Sequence, residues 1–344
     1  MDRITIVGTG VIGTSLGMAL KKSGIRAHIV GFDAQRGVAD RAKKRGGVDE
    51  AVNNLPKALE DAKLVVLATP MMAMRDVLEF MAPLLGEGAV VTDVGGTKAL
   101  VIEWAEKLLP SGISFVGGHP LVATEHTTPE AASETLFKDV LYPICPARGA
   151  HKDATRTVFD MVEAVGAKPY FMDPVEHDSY AAAVAHLPAV LSINLMACTS
   201  RSPAWREMHK MASASFRDIS RLAADDPVNN LGLLQTNREN VLYWIDETIK
   251  QLYKTRTSLL EGDTPALQEL LSHANDARAR WIAGVAPVEE KKIEIPSAGQ
   301  AMSQLFFGDL VSRQMQGGLR KDTKDGKGVK DGTTRKGDAK DKRV

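Results

Sequence analysis

Residues 4–13 read Ile4-Thr5-Ile6-Val7-Gly8-Thr9-Gly10-Val11-Ile12-Gly13. A short apolar, β-branched run enters Gly-x-Gly-x-x-Gly, and a helical pattern over 11–23 follows at once. Strand, glycine turn and helix in that order form the opening unit of a dinucleotide-binding fold. Gly8 permits the tight turn, Gly10 lets the backbone approach a pyrophosphate, and Gly13 lets the helix pack against the strand. The N–H groups of Val11 and Ile12, at the start of the helix, point where phosphates bind. Asp33 ends the second strand, twenty residues beyond Gly13, where its carboxylate accepts from the adenine ribose hydroxyls. A carboxylate there favours NAD over NADP, and nearby Arg36 leaves limited NADP use open. Thr69 and Pro70, at the end of a further strand, belong on the same carboxyl edge. A glycine turn without a ligand is the plainer alternative, and the placement of Asp33 weighs against it.

Outward from this loop, strand-like runs lie at 3–8, 27–33, 63–70, 89–95, 114–119, 141–147 and 168–173. Helical patterns such as 11–23, 71–84 and 98–108 lie between most of them. The alternation predicts parallel strands with crossover helices, a doubly wound sheet. The nearly unbroken apolar runs at 4–7 and 64–68 are those of strands covered on both faces. Past Asp173-Pro174 strand signals cease, and helical patterns occupy 175–199, 203–223, 228–260 and 265–283. The expected class is thus α/β: a Rossmann dinucleotide-binding domain over 1–173, then an all-helical domain over 174–300. By fold analogy alone, such a second half closes a substrate site and forms a homodimer. Residues 317–344 hold no aromatic and few apolar residues, so they are expected to be a disordered charged tail.

The 344 residues carry a formal net charge of zero, so no global field favours nucleic acid or an anionic membrane. No apolar run is read as approaching the roughly 20 residues of a membrane helix. The chain starts directly on a strand pattern without a signal-peptide profile, which makes the cytoplasm the expected location. Cys145 and Cys198 have no metal-ligand spacing and are read as buried apolar residues of a reducing compartment.

Of eight histidines, His28, His126, His151, His209 and His273 stand in charged or loop-like contexts and are read as surface groups. His119 stands at a strand's carboxyl end, in Phe115-Val116-Gly117-Gly118-His119-Pro120, where a doubly wound sheet places its ligands. An imidazole there suits the general base for an alcohol losing its hydride. Thr124 and Glu125 follow closely and can orient the ring or a substrate carboxylate. A packed histidine in a turn is the alternative.

The block Gly117-Gly118-His119-Pro120-Leu121-Val122-Ala123-Thr124-Glu125 resembles the Gly-Gly-His-Pro-Met-Ala-Gly-Thr-Glu signature of the prephenate and arogenate dehydrogenases of tyrosine biosynthesis. Thr92-Asp93-Val94-Gly95-Gly96-Thr97-Lys98, His186-Leu187-Pro188, Ser215-Phe216-Arg217-Asp218-Ile219-Ser220-Arg221 and Asn237-Arg238-Glu239-Asn240 continue the likeness in order, from about Arg3 to about Leu260. The resemblance implies NAD-dependent oxidative decarboxylation of a cyclohexadiene bearing a 4-hydroxyl and a ring carboxylate. Hydride leaves C4, carbon dioxide leaves C1 and the ring becomes aromatic, so the protein need only position and polarise. By the same likeness His119 takes the hydroxyl proton, Arg221 holds a substrate carboxylate and Glu125 pairs with or gates that arginine. Thr124 and His186 line the pocket; Gly96, Thr97 and Arg217, in matched motifs, join the substrate-binding set. His177-Asp178 orients or caps rather than reacts. No metal is implied.

This chain departs from the family pattern at three places. Gly96 replaces the serine that supports the catalytic histidine, leaving that task to Thr97, to a water, or to a less tightly held ring. Ala123 replaces a glycine. Ala189 stands where many prephenate-specific members carry a second histidine, which raises arogenate as the substrate. Two other readings compete. A catalytically silent dinucleotide sensor needs neither His119 nor Arg221. A 3-hydroxyacid dehydrogenase of similar plan relies on a catalytic lysine or a His–Glu pair on the helical domain, and the Gly-Gly-His-Pro block fits it poorly.

Overall fold

The opening run 4–7 lies inside β1 (Asp2–Val7), the inner strand from which the sheet is built in both directions. The chain continues through α1 (Val11–Lys22), β2 (Ala27–Phe32), α2 (Val38–Lys44), β3 (Glu50–Val52), α3 (Leu55–Leu59), β4 (Ala62–Leu67) and α4 (Met71–Met81). It then forms β5 (Val90–Asp93), α5 (Ala99–Leu108), β6 (Ser114–Gly118), β7 (Leu141–Pro146), α6 (Lys152–Ala164) and β8 (Lys168–Phe171). The eight strands lie in the order β3-β2-β1-β4-β5-β6-β7-β8. Order reverses at β1, between β2 and β4, and the glycine loop leaves the sheet at that switch point. This is a computed structural model, and it describes residues 2–124 and 126–285. All of these fall in one compact unit, Met1–Ile293.

Both faces of the sheet are covered, as the apolar runs require. Ile4 and Ile6 pack with Leu16 and Leu20 of α1 on one face. Val7, Val65 and Leu67 pack with Met74 and Leu78 of α4 on the other. Two features depart from the expected seven parallel strands: an eighth strand and one antiparallel pair. Three-residue β3 is too short to leave a pattern in the sequence. More consequentially, β6 and β7 run antiparallel, with Gly117 opposite Cys145 and Gly118 opposite Ile144. A parallel return requires a crossover, usually a helix. Within 119–140 the described residues form only a single 3-10 turn, Pro129–Ala131, so the chain comes back beside the strand it left.

The helical half begins with α7 (Pro174–Ala181), a π-helical turn (Ala182–His186) and α8 (Leu187–Ser200), one continuous run. Asp173 caps its start by accepting from Val175 N and Glu176 N at 2.8 and 3.2 Å. The widened turn sits immediately before Pro188, which has no N–H to offer the preceding turn, and a π-bulge absorbs that mismatch. Against the sequence reading, Pro174–Ser200 is long and apolar enough to cross a membrane, with mean hydropathy 1.7. After Asp178 it meets no Asp, Glu, Lys or Arg before Arg201.

The remaining helices are α9 (Trp205–Met208), α10 (Ala214–Ser220), α11 (Pro227–Thr236), α12 (Arg238–Glu261) and α13 (Thr264–Ile282). The expected helices at 203–223 and 228–260 are both interrupted. The second breaks at Asn237, whose backbone leaves the helical region (φ −125°, ψ 34°) while its buried side chain turns inward. Cys145 is buried, which pushes its thiol up to about 12, but Cys198 is exposed, correcting the expectation that both are buried. Glu125, the stretch 286–300 and the tail at 317–344 lie outside the described residues.

Candidate active site

The glycine loop is held by contacts that leave no room for side chains. Gly8 has φ +95°, and a Cβ there would sit 2.4 Å from the Ala68 carbonyl oxygen at the end of β4. A Cβ on Gly13 would fall 2.0 Å from Gly8 O, so α1 lies directly against the turn. Asp33 accepts from Thr9 N at 2.8 Å and Gln35 N at 2.9 Å, which fastens the end of β2 beside the loop. Thr69 Oγ1, beyond β4, is buried with no hydrogen-bond partner, and Pro70 precedes the first turn of α4. Val11 N donates to the Thr127 carbonyl at 2.9 Å, a place that a phosphate oxygen would take over. A cradle without side chains, an orphan hydroxyl and a helix N-terminus together fit a dinucleotide.

His119 follows Gly118, the last residue of β6, on the same carboxyl edge. Its Nδ1 lies 2.9 Å from His177 Nε2, and His177 Nδ1 lies 2.8 Å from Asp178 Oδ1. Asp178 also accepts from the backbone N–H groups of Lys98 and Ala99, at 2.7 and 2.9 Å, capping the start of α5. His177 and Asp178 are each only 3 % exposed. Asn237 Nδ2 donates to the Asp178 carbonyl at 2.6 Å and lies 3.2 Å from His186 Nδ1. An amide N–H facing Nδ1 leaves that nitrogen as the acceptor and puts the ring proton of His186 on Nε2. Burial holds His119 well below the usual histidine range, with the nearby His177, Lys98 and His186 each opposing a further positive charge there. His186 is pushed down to about 4, first by burial, with Asp178 and the Gly96 backbone opposing and His177 adding to it.

A buried ion pair forms the floor beneath His119. Lys98 Nζ pairs with Asp93 and donates to the Gly118 carbonyl at 2.7 Å, with both side chains fully buried. Asp93 in turn accepts from Gly118 N at 3.1 Å and Gly95 N at 2.9 Å. These bonds tie β5 to the end of β6 and fix the backbone from which His119 projects.

Gly96 faces the two rings. A Cβ there would lie 3.8 Å from His119 Nε2 and 3.9 Å from His186 Nε2, so both nitrogens converge on the space over this glycine. That space is partly filled from α11: Leu233 Cδ2 would be 2.6 Å from the added Cβ. Thr97 does not take the task of the missing serine. It is fully buried, and its Oγ1 lies 2.9 Å from Thr236 Oγ1. Either hydroxyl can donate between the two, since Thr236 also has Gly232 O at 2.8 Å and Thr97 also has Met71 Sδ at 4.0 Å as acceptors. The Thr97 hydroxyl is thus engaged with Thr236 and Met71. Thr124 is half-buried.

Arg217 and Arg221 are not brought to this cluster. Both are exposed, on α10 and in the 3-10 turn after it, and among the described residues no hydrogen bond or ion pair joins them to His119 or His186. Their segment packs on α8 through Ala223 N, which donates to Ser192 Oγ at 2.9 Å. Sequence reasoning passed over Lys98, Leu233 and Asn237. Lys98 and Asn237 stood inside the quoted motifs, so a signal existed without a role; Leu233 carried none.

A largely parallel sheet with a glycine loop at its switch point, and a histidine on the same carboxyl edge, defines the class: a dinucleotide-dependent dehydrogenase. The chain belongs to the prephenate dehydrogenase family. Residues 16–171 match the family's nucleotide-binding domain and residues 173–273 its dimerization domain. It is 30% identical to prephenate dehydrogenase of Bacillus subtilis over 80% of this chain and 75% of that one. It is similar to a crystal structure of prephenate dehydrogenase from Aquifex aeolicus in complex with hydroxyphenyl propionate and NAD+. That match has TM-score 0.77 and 27% identity, over 81% of this chain and 98% of that one. It is also similar to the Synechocystis arogenate dehydrogenase structure, with TM-score 0.68 and 29% identity over 81% and 99% of the two chains. The protein is accordingly an NAD-dependent oxidoreductase.

Proposed function

We propose that this protein converts prephenate to 4-hydroxyphenylpyruvate by NAD-dependent oxidative decarboxylation. The observation that carries the reading is the convergence of His119 Nε2 and His186 Nε2 over Gly96, on the carboxyl edge that bears the glycine loop. An acceptor and a donor beside one space suit a substrate hydroxyl, which can donate to His119 and, once bound, compete with the Gly96 backbone for the proton of His186. NAD, held by Gly8, Gly10, Val11, Ile12, Gly13, Asp33, Thr69 and Pro70, supplies the hydride acceptor.

His119 takes the 4-hydroxyl proton as C4 gains carbonyl character, and returns it to the phenol oxygen once the C1–carboxylate bond has broken. The electron pair of that bond enters the ring, balancing the hydride that left. His186 polarises the same oxygen. By the family likeness Arg221, exposed on the helical half in this structure, would reach a carboxylate of the substrate, with Arg217 on the same helical segment; Glu125 would pair with or gate that arginine and Thr124 would line the pocket. The low proton affinity of His119 keeps it a free base at neutral pH.

Arogenate is the second reading, favoured by Ala189, which supplies no histidine for a keto-acid side chain. The helical half presents Val184, Met211, Tyr253, Leu260 and Trp281 largely to solvent, which supports a homodimer closed by that half. A soluble cytoplasmic enzyme without nucleic-acid partners completes the reading; the apolar helix Pro174–Ser200 then belongs to the dimer.

The test is a four-way assay of prephenate and arogenate against NAD and NADP. NADH formation from prephenate is expected, and His119→Asn should abolish it with NAD binding intact. Undiminished turnover in that variant removes His119 from the chemistry.

A further inference from the structure

We propose that His177 is a positioning residue: it fixes the tautomer of His119 so that Nε2 is the bare, basic nitrogen facing the cleft. The inference rests on the reading of His119 as the base. It also answers how this chain orients that ring with Gly96 in place of a hydroxyl.

The chain of donors leaves one assignment. A carboxylate only accepts, and Asp178 is surrounded by donors: Lys98 N, Ala99 N and His177 Nδ1. His177 therefore carries a proton on Nδ1, and in the neutral ring, the state this proposal assigns to it, Nε2 is an acceptor. Nε2 stands 2.9 Å from His119 Nδ1, so His119 must hold its proton there and leave Nε2 bare. The rings meet edge to face, 5.1 Å between centroids at 69°, which directs the nitrogen of one ring at the other. Asp178 cannot swing away, because its second oxygen and its carbonyl are both engaged. When His119 takes a proton, its Nδ1–H leans on a relay that ends in a buried carboxylate. The groups facing His119 are His177 from α7, His186 from the π-turn, and Lys98, itself paired with Asp93 of β5.

Two amides separate positioning from a merely structural role. His177→Asn places an amide near the Nδ1 site, retaining the bond to Asp178 and losing the one to His119. His177→Gln reaches the Nε2 site and retains the bond to His119. Positioning predicts that His177→Asn melts near the wild type and keeps its KM for NAD, yet loses kcat on the order of 10²-fold. The acid limb of its kcat/KM profile moves to lower pH, because the imidazolium has lost its acceptor. His177→Gln keeps kcat within about tenfold and leaves the limb in place. If His177 serves only to hold Asp178, the order reverses.

A second readout is independent of turnover. In 15N-histidine spectra of the intact protein, the His119 signal should show protonated Nδ1 and bare Nε2, and should shift toward Nε2–H in His177→Asn. A wild-type His119 protonated on Nε2, or a tautomer and pH profile unchanged in His177→Asn, overturns the proposal. If neither prephenate nor arogenate is turned over, the proposed function falls, and the spectra still decide the tautomer.

Discussion

Restoring a serine at position 96 tests the geometry over the reacting centre most directly. The backbone of Gly96 does not lie in the left-handed region, so the chain itself tolerates a side chain there. The obstacle is Leu233, whose Cδ2 would be 2.6 Å from the new Cβ, against an ordinary carbon–carbon contact of about 3.5–4.0 Å. Leu233 must retreat by about 1 Å. It packs against the core cluster that contains Met71 and Val7, and α11 is pinned to α4 where a Cβ on Gly232 would lie only 2.8 Å from Met71 Cβ. Overpacking of this kind costs about 1–3 kcal/mol. Gly96→Ser should therefore lower the melting temperature by a few degrees, at about 2 °C per kcal/mol in a chain of this size. It should also lower turnover, because the added side chain stands within 4 Å of both Nε2 atoms while Leu233 still crowds it. In a Leu233→Ala background the clash is gone, and the introduced hydroxyl then has His119 Nε2 and His186 Nε2 within reach. The four proteins of this double-mutant cycle should show a coupling of about 1–3 kcal/mol in urea melts, and the double variant should recover turnover relative to Gly96→Ser alone. Additive melts, with the serine as costly in the Leu233→Ala background as beside the native leucine, would refute the packing argument.

Three further outcomes follow from the same network. Lys98→Met leaves the Asp93 carboxylate buried with two backbone donors and no countercharge, and should destabilise the fold by about 3–5 kcal/mol; a wild-type melting curve would contradict this. The acid limb of kcat/KM should lie below 6.5, because the free base His119 is harder to protonate than an exposed histidine; a limb at or above 6.5 speaks against it. His186, at about 4 folded and about 6.5 unfolded, binds its proton more readily when unfolded. Its contribution is complete above 6.5 and is lost as pH falls through 4, up to about 3 kcal/mol in all. His186→Gln should flatten that part of the stability–pH curve, and an unchanged curve would remove His186 as its source.

The dinucleotide fold was readable because its cues are local. Gly8, Gly10 and Gly13 lie within one turn, and Asp33 sits at a fixed distance set by one helix and one strand. His119 was readable for the same reason, standing at the end of a strand between glycines and proline. What defines its chemistry was not, since His177 lies 58 residues away and reaches the ring through a packing contact. Thr97 misleads in a linear reading: it adjoins Gly96, yet its hydroxyl turns to Thr236, 139 residues on. The antiparallel β6–β7 pair was hidden because 119–140 reads as a loop, and loop length does not announce direction. The break at Asn237 was hidden because a single asparagine is tolerated in a helix, and only its burial against Asp178 and His186 pulls the backbone out of line.

Asp178 shows why the centre could not be read from either half of the chain. Its carboxylate caps α5 of the sheet half, its ring partner His177 is its own neighbour on α7, and its carbonyl receives Asn237 from the start of α12. One residue thus sets the distance between the histidine of the sheet edge and those of the helical half. A base oriented through such a joint is gripped at Nδ1, on the side away from the cleft. The position facing Nε2 is then released from holding the ring, which makes glycine admissible at 96 and lets Leu233 supply an apolar wall. If His177 positions His119 as proposed, glycine at 96 and the His119–His177–Asp178 relay are two sides of one arrangement, and a variant that weakens the relay should make turnover depend on what stands at position 96.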